Sequence, residues 1–196
     1  LSPSGIYAVS KAAADMMTLA YARDYHMHTM TARVANHTGP GQSTDFVVPA
    51  FAKQIKAIAD GEQSSTIRVG NLDSERTFMD VRDVVRAYRL LLEQGAPGLA
   101  YNVSTPERVP IRTILNALCE ITGISPTIEI DPDRFRPTDR MPLLSSKRTR
   151  EATGWQPVRP AAAVRSGILL LRATRPETRA TAPDKLRFAF RRLGVA

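Results

Sequence analysis

The decapeptide Ile6-Tyr7-Ala8-Val9-Ser10-Lys11-Ala12-Ala13-Ala14-Asp15 decides how the rest of the chain is read. It is rich in alanine, free of Gly and Pro, and followed by Met16, Met17, Leu19 and Ala20, which predicts a helix over residues 7–25. Tyr7 and Lys11 are four residues apart, slightly more than one helical turn, so they share a face. An ammonium one turn from a phenol favours the phenolate, and such a pair can pass a proton. The flat, Ala-rich side of this helix is suited to close packing against another helix.

Outward from that helix, residues 28–34 are short and β-rich and predict a strand. Asn36-His37-Thr38-Gly39-Pro40-Gly41 is a tight loop, whose two Gly and one Pro bring the backbone close to another group. Val47, Val48, Phe51, Ile55 and Ile58 fall at helical spacing over 46–59, ahead of Gly61. Strands are predicted at 66–69, 77–79, 100–103 and 127–130, and helices at 81–93, 111–121, 147–153 and 161–172. Residues 131–142 form a Pro- and Arg-rich loop, and 173–196 a basic tail. Asp80 and Asp83 flank a helix start, where negative charge complements the helix dipole. His37 reads as a loop residue, and Trp155 as packing under the Gly154 turn.

Strands alternating with helices imply an α/β architecture with a largely parallel sheet. Yet no Gly-x-Gly-x-x-Gly turn occurs anywhere in the 196 residues. The simplest expectation is the carboxy-terminal piece of a longer protein: the later part of a Rossmann-like sheet plus a small α/β lobe that binds substrate. The division expected is 1–45 for the dinucleotide-binding half, 46–80 for the substrate lobe, 81–105 for a return to the sheet, 106–172 for the substrate lobe again, and 173–196 for the tail.

Most of the net charge of +8 lies after Pro157, where nine basic residues stand against only Glu177 and Asp184. No aromatic interleaving accompanies it, which argues against a nucleic-acid partner and for a solvated tail. No apolar run approaches the roughly 18–20 residues of a membrane span. The single Cys119 excludes an internal disulfide and suits a reducing cytoplasm.

Four blocks together resemble the extended short-chain dehydrogenase/reductase family, the epimerase/dehydratase group that modifies nucleotide sugars. They are residues 7–15, residues 33–42, residues 69–88, and Arg134-Phe135-Arg136-Pro137 with Gly154-Trp155-Gln156-Pro157. Residues 46–54 and 81–88 look most like reductases of GDP-4-keto-6-deoxy-mannose, with GDP-mannose 4,6-dehydratases next. The resemblance implies that Tyr7 is the proton relay and that Lys11 bonds the nicotinamide ribose of NADP or NAD. It also sets Ala35, Asn36 and His37 beside the cofactor, with Asn36 reaching the substrate as well. Arg76 and Arg136, with Lys53 facing the same cleft, match positions that clamp a sugar-nucleotide diphosphate, for which the planar Arg fork is suited. Gly70 and Asn71 match positions bordering the base and ribose.

No metal site is implied; the partners implied are a GDP-sugar and a second copy joined through the 7–25 helix. Three outcomes follow from this reading: a reductase of the 4-keto group, a 4,6-dehydratase, or a non-catalytic piece that retains sugar-nucleotide binding or dimerisation. Two departures stand out. Thr77 occupies a position where the family usually has Asp, and Ser104-Thr105-Pro106 replaces a more glycine-rich turn.

Overall fold

The chain alternates helices with short strands from its first turn onward, as the periodicity requires. A computed structural model describes residues 3, 5–135 and 143–158. Arg136, the helix predicted over 161–172 and the basic tail lie outside the described residues. The elements are α1 (Ile6–Tyr25), β1 (Thr31–Val34), β2 (His37–Thr38), α2 (Val47–Ala59), β3 (Thr66–Val69), β4 (Glu75–Arg76) and β5 (Met79–Asp80). There follow α3 (Val81–Gln94), β6 (Ala100–Val103), β7 (Val109–Pro110), α4 (Ile111–Thr122), β8 (Thr127–Ile130), a 3-10 turn (Pro132–Arg134) and α5 (Lys147–Thr153).

The strands pair across long sequence separations. β1 runs parallel to β6, with Ala32 opposite Tyr101 and Val34 opposite Val103. β3 runs parallel to β8, β2 runs parallel to β5, and β4 pairs antiparallel with β7. This mixture of helices and mainly parallel ladders is the expected Rossmann-like α/β class.

Two apolar cores result. In the first, α2 contributes Val48, Phe51 and Ile55 at helical spacing, β3 contributes Ile67 and Val69, and α4 contributes Ile114, Leu115 and Leu118. In the second, Val84, Ala87 and Leu91 of α3 cover Tyr101 and Val103 of β6, with Ala35, Met79 and Trp155 completing it. The second core therefore lies against one face of the β1–β6 ladder, since Ala32 and Val34 pack on it while Arg33 points the other way, to α1.

Helix ends follow the sequence signals. Asp80 caps α3 by accepting from the Arg82 backbone N–H at 2.8 Å, and Arg82 returns a forked ion pair to the same carboxylate. Gly154 takes the left-handed conformation (φ 64°) that stops α5. The outer edge of β6 is sealed by side chains of the 145–149 segment. Arg148 donates to the Ala100 carbonyl, Thr149 Oγ1 to that of Asn102, and Ser146 Oγ bonds both N–H and C=O of Ser104 at 2.8 Å.

Several expectations need correction. The strand predicted over 28–34 begins only at Thr31, because the Thr29 N–H turns back to the Met27 carbonyl at 2.8 Å while its Oγ1 donates to the Thr18 carbonyl of α1. The strand predicted over 77–79 is two strands, β4 and β5, with Thr77 and Phe78 between them. The chain changes partner there, from antiparallel β7 to parallel β2. The loop predicted over 131–142 opens with a 3-10 turn, capped by Asp131 accepting from the Asp133 N–H. Finally, α1 lies against β1 and buries none of its own residues.

Candidate active site

β1 ends at Val34 and delivers Ala35, Asn36 and His37 to the rim of a cleft of about 990 Å³. α1 brings Tyr7 to that cleft, and the 70–71 loop after β3 brings Gly70 and Asn71. β4 adds Arg76, and the 3-10 turn adds Arg134. Five different segments thus converge on one space, and most of the residues singled out from the sequence line it.

Tyr7 is 76% exposed, so its hydroxyl is accessible rather than sealed in hydrocarbon. The Lys11 Nζ lies 5.5 Å from the centre of the Tyr7 ring, within cation–π range. The two share one helix face, though of the pair only Tyr7 lines the cleft. Asn36 is anchored through its backbone, its carbonyl accepting from Met79 N–H at 2.9 Å. His37 opens β2 rather than lying in a loop, with its side chain exposed and Nδ1 3.1 Å from the Ala35 carbonyl oxygen. Thr38 and Gln42 close the loop behind it: Thr38 Oγ1 donates to Gln42 Oε1 at 2.7 Å, and Gln42 Nε2 donates to the His37 carbonyl.

The cleft also carries three arginines, Arg68, Arg76 and Arg134, alongside the acidic Asp45 and Asp133, and Arg68 pairs with Glu129 at 3.5 Å. Arg76 donates from a guanidinium nitrogen to its neighbour's Glu75 carbonyl at 2.8 Å. Arg68 and Arg134 also face the cleft, and neither was singled out from the sequence. Arg68 could have been found: it alternates with the buried Ile67 and Val69 on β3 and so points outward. Arg134 had only its place in an Arg-rich stretch to mark it, and it pairs with Asp131 at 3.0 Å.

Gly70 packs directly against the 3-10 turn. A Cβ there would overlap the Arg134 carbonyl oxygen and lie 3.0 Å from the carbonyl carbon. Only a residue without a side chain lets the loop and the turn meet. Lys53 lines a neighbouring trough of about 710 Å³. The trough is continuous with the cleft through Thr44, Asp45, Ala50, Arg68 and Arg134. In that trough Gln54 holds β3 in place, accepting from Arg68 N–H at 2.8 Å and donating to the Arg68 carbonyl at 3.1 Å, as a neighbouring strand would.

The two acidic residues at the start of α3 are structural. Both are fully buried; Asp80 is held by Arg82, and Asp83 by Arg86 and the Val158 N–H. Trp155 is also fully buried, and its Nε1–H donates to the Asp83 carbonyl at 3.0 Å. The Asp15 carboxylate hydrogen-bonds Arg33 in a fork and holds that guanidinium above its ordinary value, against an opposing desolvation. Among the described residues no cluster of His, Cys, Asp and Glu could hold a metal ion, and no helix is long and apolar enough to cross a membrane.

Comparison with known proteins gives concordant findings. The family model described as GDP-mannose 4,6 dehydratase matches residues 1–164. The GDP-6-deoxy-D-mannose reductase of Pseudomonas aeruginosa is 36% identical over 156 residues, covering 79% of this chain and 51% of that protein. The GDP-mannose 4,6-dehydratase of Sinorhizobium fredii is 30% identical over 200 residues, covering 88% of this chain and 56% of that protein. Among solved structures, RMD from Pseudomonas aeruginosa complexed with NADPH superposes with a TM-score of 0.80 at 34% identity, covering 88% of this chain and 57% of that one. The chain thus spans about half the length of the relatives it matches.

Proposed function

The chain belongs to the GDP-mannose 4,6-dehydratase family, and from that premise we propose that it carries the proton-transfer helix and sugar-nucleotide wall of a nicotinamide-dependent oxidoreductase. In this reading the enzyme reduces the 4-keto group of a GDP-6-deoxyhexose, as the name of the P. aeruginosa relative suggests. One observation carries it. An accessible phenol with an ammonium beside it opens on the same cleft as a wall bearing Arg68, Arg76 and Arg134.

A bound nicotinamide supplies the hydride. The residues present fit its nicotinamide–ribose end, where Tyr7, Lys11 and the Ala35–Asn36–His37 segment offer a hydroxyl, an ammonium and an amide. They offer no Gly-x-Gly-x-x-Gly turn for its diphosphate. NADP is favoured over NAD by the NADPH complex of the structural neighbour.

Tyr7 gives its phenolic proton to the alkoxide left at C4, which completes the alcohol. Lys11 stabilises the phenolate that remains until solvent, which reaches Tyr7, returns a proton. Asn36 bridges cofactor and sugar without adding charge. The guanidinium groups hold the substrate diphosphate, with Arg136 joining them in this reading, and Lys53 guards the adjoining trough. Gly70 and Asn71 border the base. The two cores then serve two purposes: the β1–β6–α3 core carries the cofactor side, and the α2–β3–α4 core carries the sugar side.

A second copy is assigned to α1, whose Val9, Met16, Met17 and Tyr21 are exposed at 44% or more. The cytoplasm is the compartment this reading assigns, in keeping with a single cysteine.

The test is turnover by the native full-length polypeptide. NADPH consumption with GDP-4-keto-6-deoxy-mannose supports the reductase, and its absence opposes it. The family model itself favours a second reading, a 4,6-dehydratase. Formation of a 4-keto sugar from GDP-mannose, with no net NADPH consumed, would establish that activity instead.

A further inference from the structure

The helix carrying Tyr7 and Lys11 is weakly attached. α1 is twenty residues long, about 30 Å, yet it buries no side chain of its own. Near its far end Thr29 Oγ1 donates to the Thr18 carbonyl at 2.9 Å. Closer to Tyr7 one ion pair joins α1 to another element among the described residues. Arg33 Nε meets Asp15 Oδ1 at 2.9 Å, and an Arg33 terminal nitrogen meets Asp15 Oδ2 at 2.6 Å. The Asp15 side chain is 11% exposed and that of Arg33 39%, so the carboxylate end of the fork is the shielded one.

The placement of this pair matters more than its strength. Asp15 lies one helical turn beyond Lys11 on the same face, and Arg33 lies on β1, three residues before Asn36. A carboxylate four residues on from a lysine is within ion-pair reach on a helix, though with the lysine first this is the weaker of the two orders. Both Asp15 oxygens are instead taken by Arg33, and the Lys11 ammonium lies over the Tyr7 ring.

We infer that Arg33 is a positioning residue: by occupying Asp15 it keeps Lys11 turned towards Tyr7 and fixes α1 in register with the Asn36 segment. The inference rests on Tyr7 and Lys11 being the proton-transfer pair. Without Arg33, the freed Asp15 carboxylate draws the ammonium one turn down the helix, away from the phenol.

The test compares wild type, Arg33→Met and the double variant Arg33→Met/Asp15→Asn, each as the full-length protein. Arg33→Met lowers kcat roughly tenfold or more, while KM for the sugar nucleotide stays within about twofold, because the diphosphate wall is untouched. Adding Asp15→Asn recovers part of the lost kcat, since no carboxylate then competes for Lys11. A clamp that served only stability would make the double variant no better than the single.

An activity-independent arm reads the accessibility of the Lys11 amine by acetic anhydride labelling and mass spectrometry. Labelling of Lys11 falls in Arg33→Met and returns in the double variant. Unchanged labelling across the three proteins overturns the inference, as does a double variant no more active than Arg33→Met. Wild-type protein that turns over no 4-keto sugar but shows this labelling pattern counts against the proposed reaction, and leaves the Arg33 device supported.

Discussion

Replacing Trp155 with alanine asks whether the 154–158 segment holds α3 against β6. The indole is fully buried in the core made with Val84, Ala87, Leu91 and Tyr101, and its N–H is bonded to the Asp83 carbonyl. Around it, Asp83 accepts from Val158 N–H at 3.2 Å, and Arg86 donates to the Gln156 carbonyl. Truncation removes a large apolar surface and leaves a cavity, which costs about 3–5 kcal/mol. Trp155→Phe keeps most of the ring and loses the hydrogen bond, for about 1–2 kcal/mol. Against a typical total of about 5–15 kcal/mol the alanine change is large.

With a urea slope of about 2 kcal/mol per molar, the alanine variant should unfold about 1.5–2.5 M earlier. The assay is urea unfolding followed by circular dichroism, because the variant removes the sole tryptophan of the sequence. A shift equivalent to less than about 1 kcal/mol would refute the packing argument, as the site would then have been loosely filled.

Other consequences can be checked independently. Gly70→Ala drives a Cβ into the Arg134 carbonyl and parts the loop from the 3-10 turn. At a strain of about 1–3 kcal/mol, KM for the GDP-sugar rises roughly tenfold with kcat little changed; an unaltered KM in initial-rate kinetics removes this wall from the binding site. Ser146→Ala strips both bonds from Ser104 and leaves a buried N–H unpaired, a loss of about 1–3 kcal/mol in urea unfolding; a loss within error shows that the β6 edge is not sealed this way. Burial pushes the Cys119 thiol above its ordinary value, with Glu120 adding to the effect. Less of it is thiolate at pH 8, so iodoacetamide reacts more slowly with native protein than with protein in urea; equal rates would contradict the burial.

How much of this was legible in the sequence depends on whether the cause was local. α2, β3, α3, β6, β8 and α5 follow from periodicity and end signals within a few residues of each element. The break between β4 and β5 was not visible, because it comes from two distant partners, Val109–Pro110 and His37–Thr38, taking adjacent residue pairs. The seating of α1 against β1 was hidden for a similar reason. Its Ala and Met composition suits packing, but nothing in the composition shows whether a partner lies against it.

The site divides along the same line. Tyr7 and Lys11 are set by helical spacing alone, and Asn36 by the turn that follows β1. Gly70 carried a readable signal, but its reason, contact with residue 134, is a tertiary fact. Lys53 lines the adjoining trough, one turn along α2 from Ala50, which borders both spaces.

The account stands on proton transfer by Tyr7, and Tyr7→Phe removes one oxygen while leaving the ring under Lys11. In the full-length protein, with GDP-4-keto-6-deoxy-mannose and NADPH, this variant should lose roughly a hundredfold to ten-thousandfold in kcat while its NADPH affinity stays within about twofold. Turnover at the wild-type rate would show that the proton comes from elsewhere and would contradict the account.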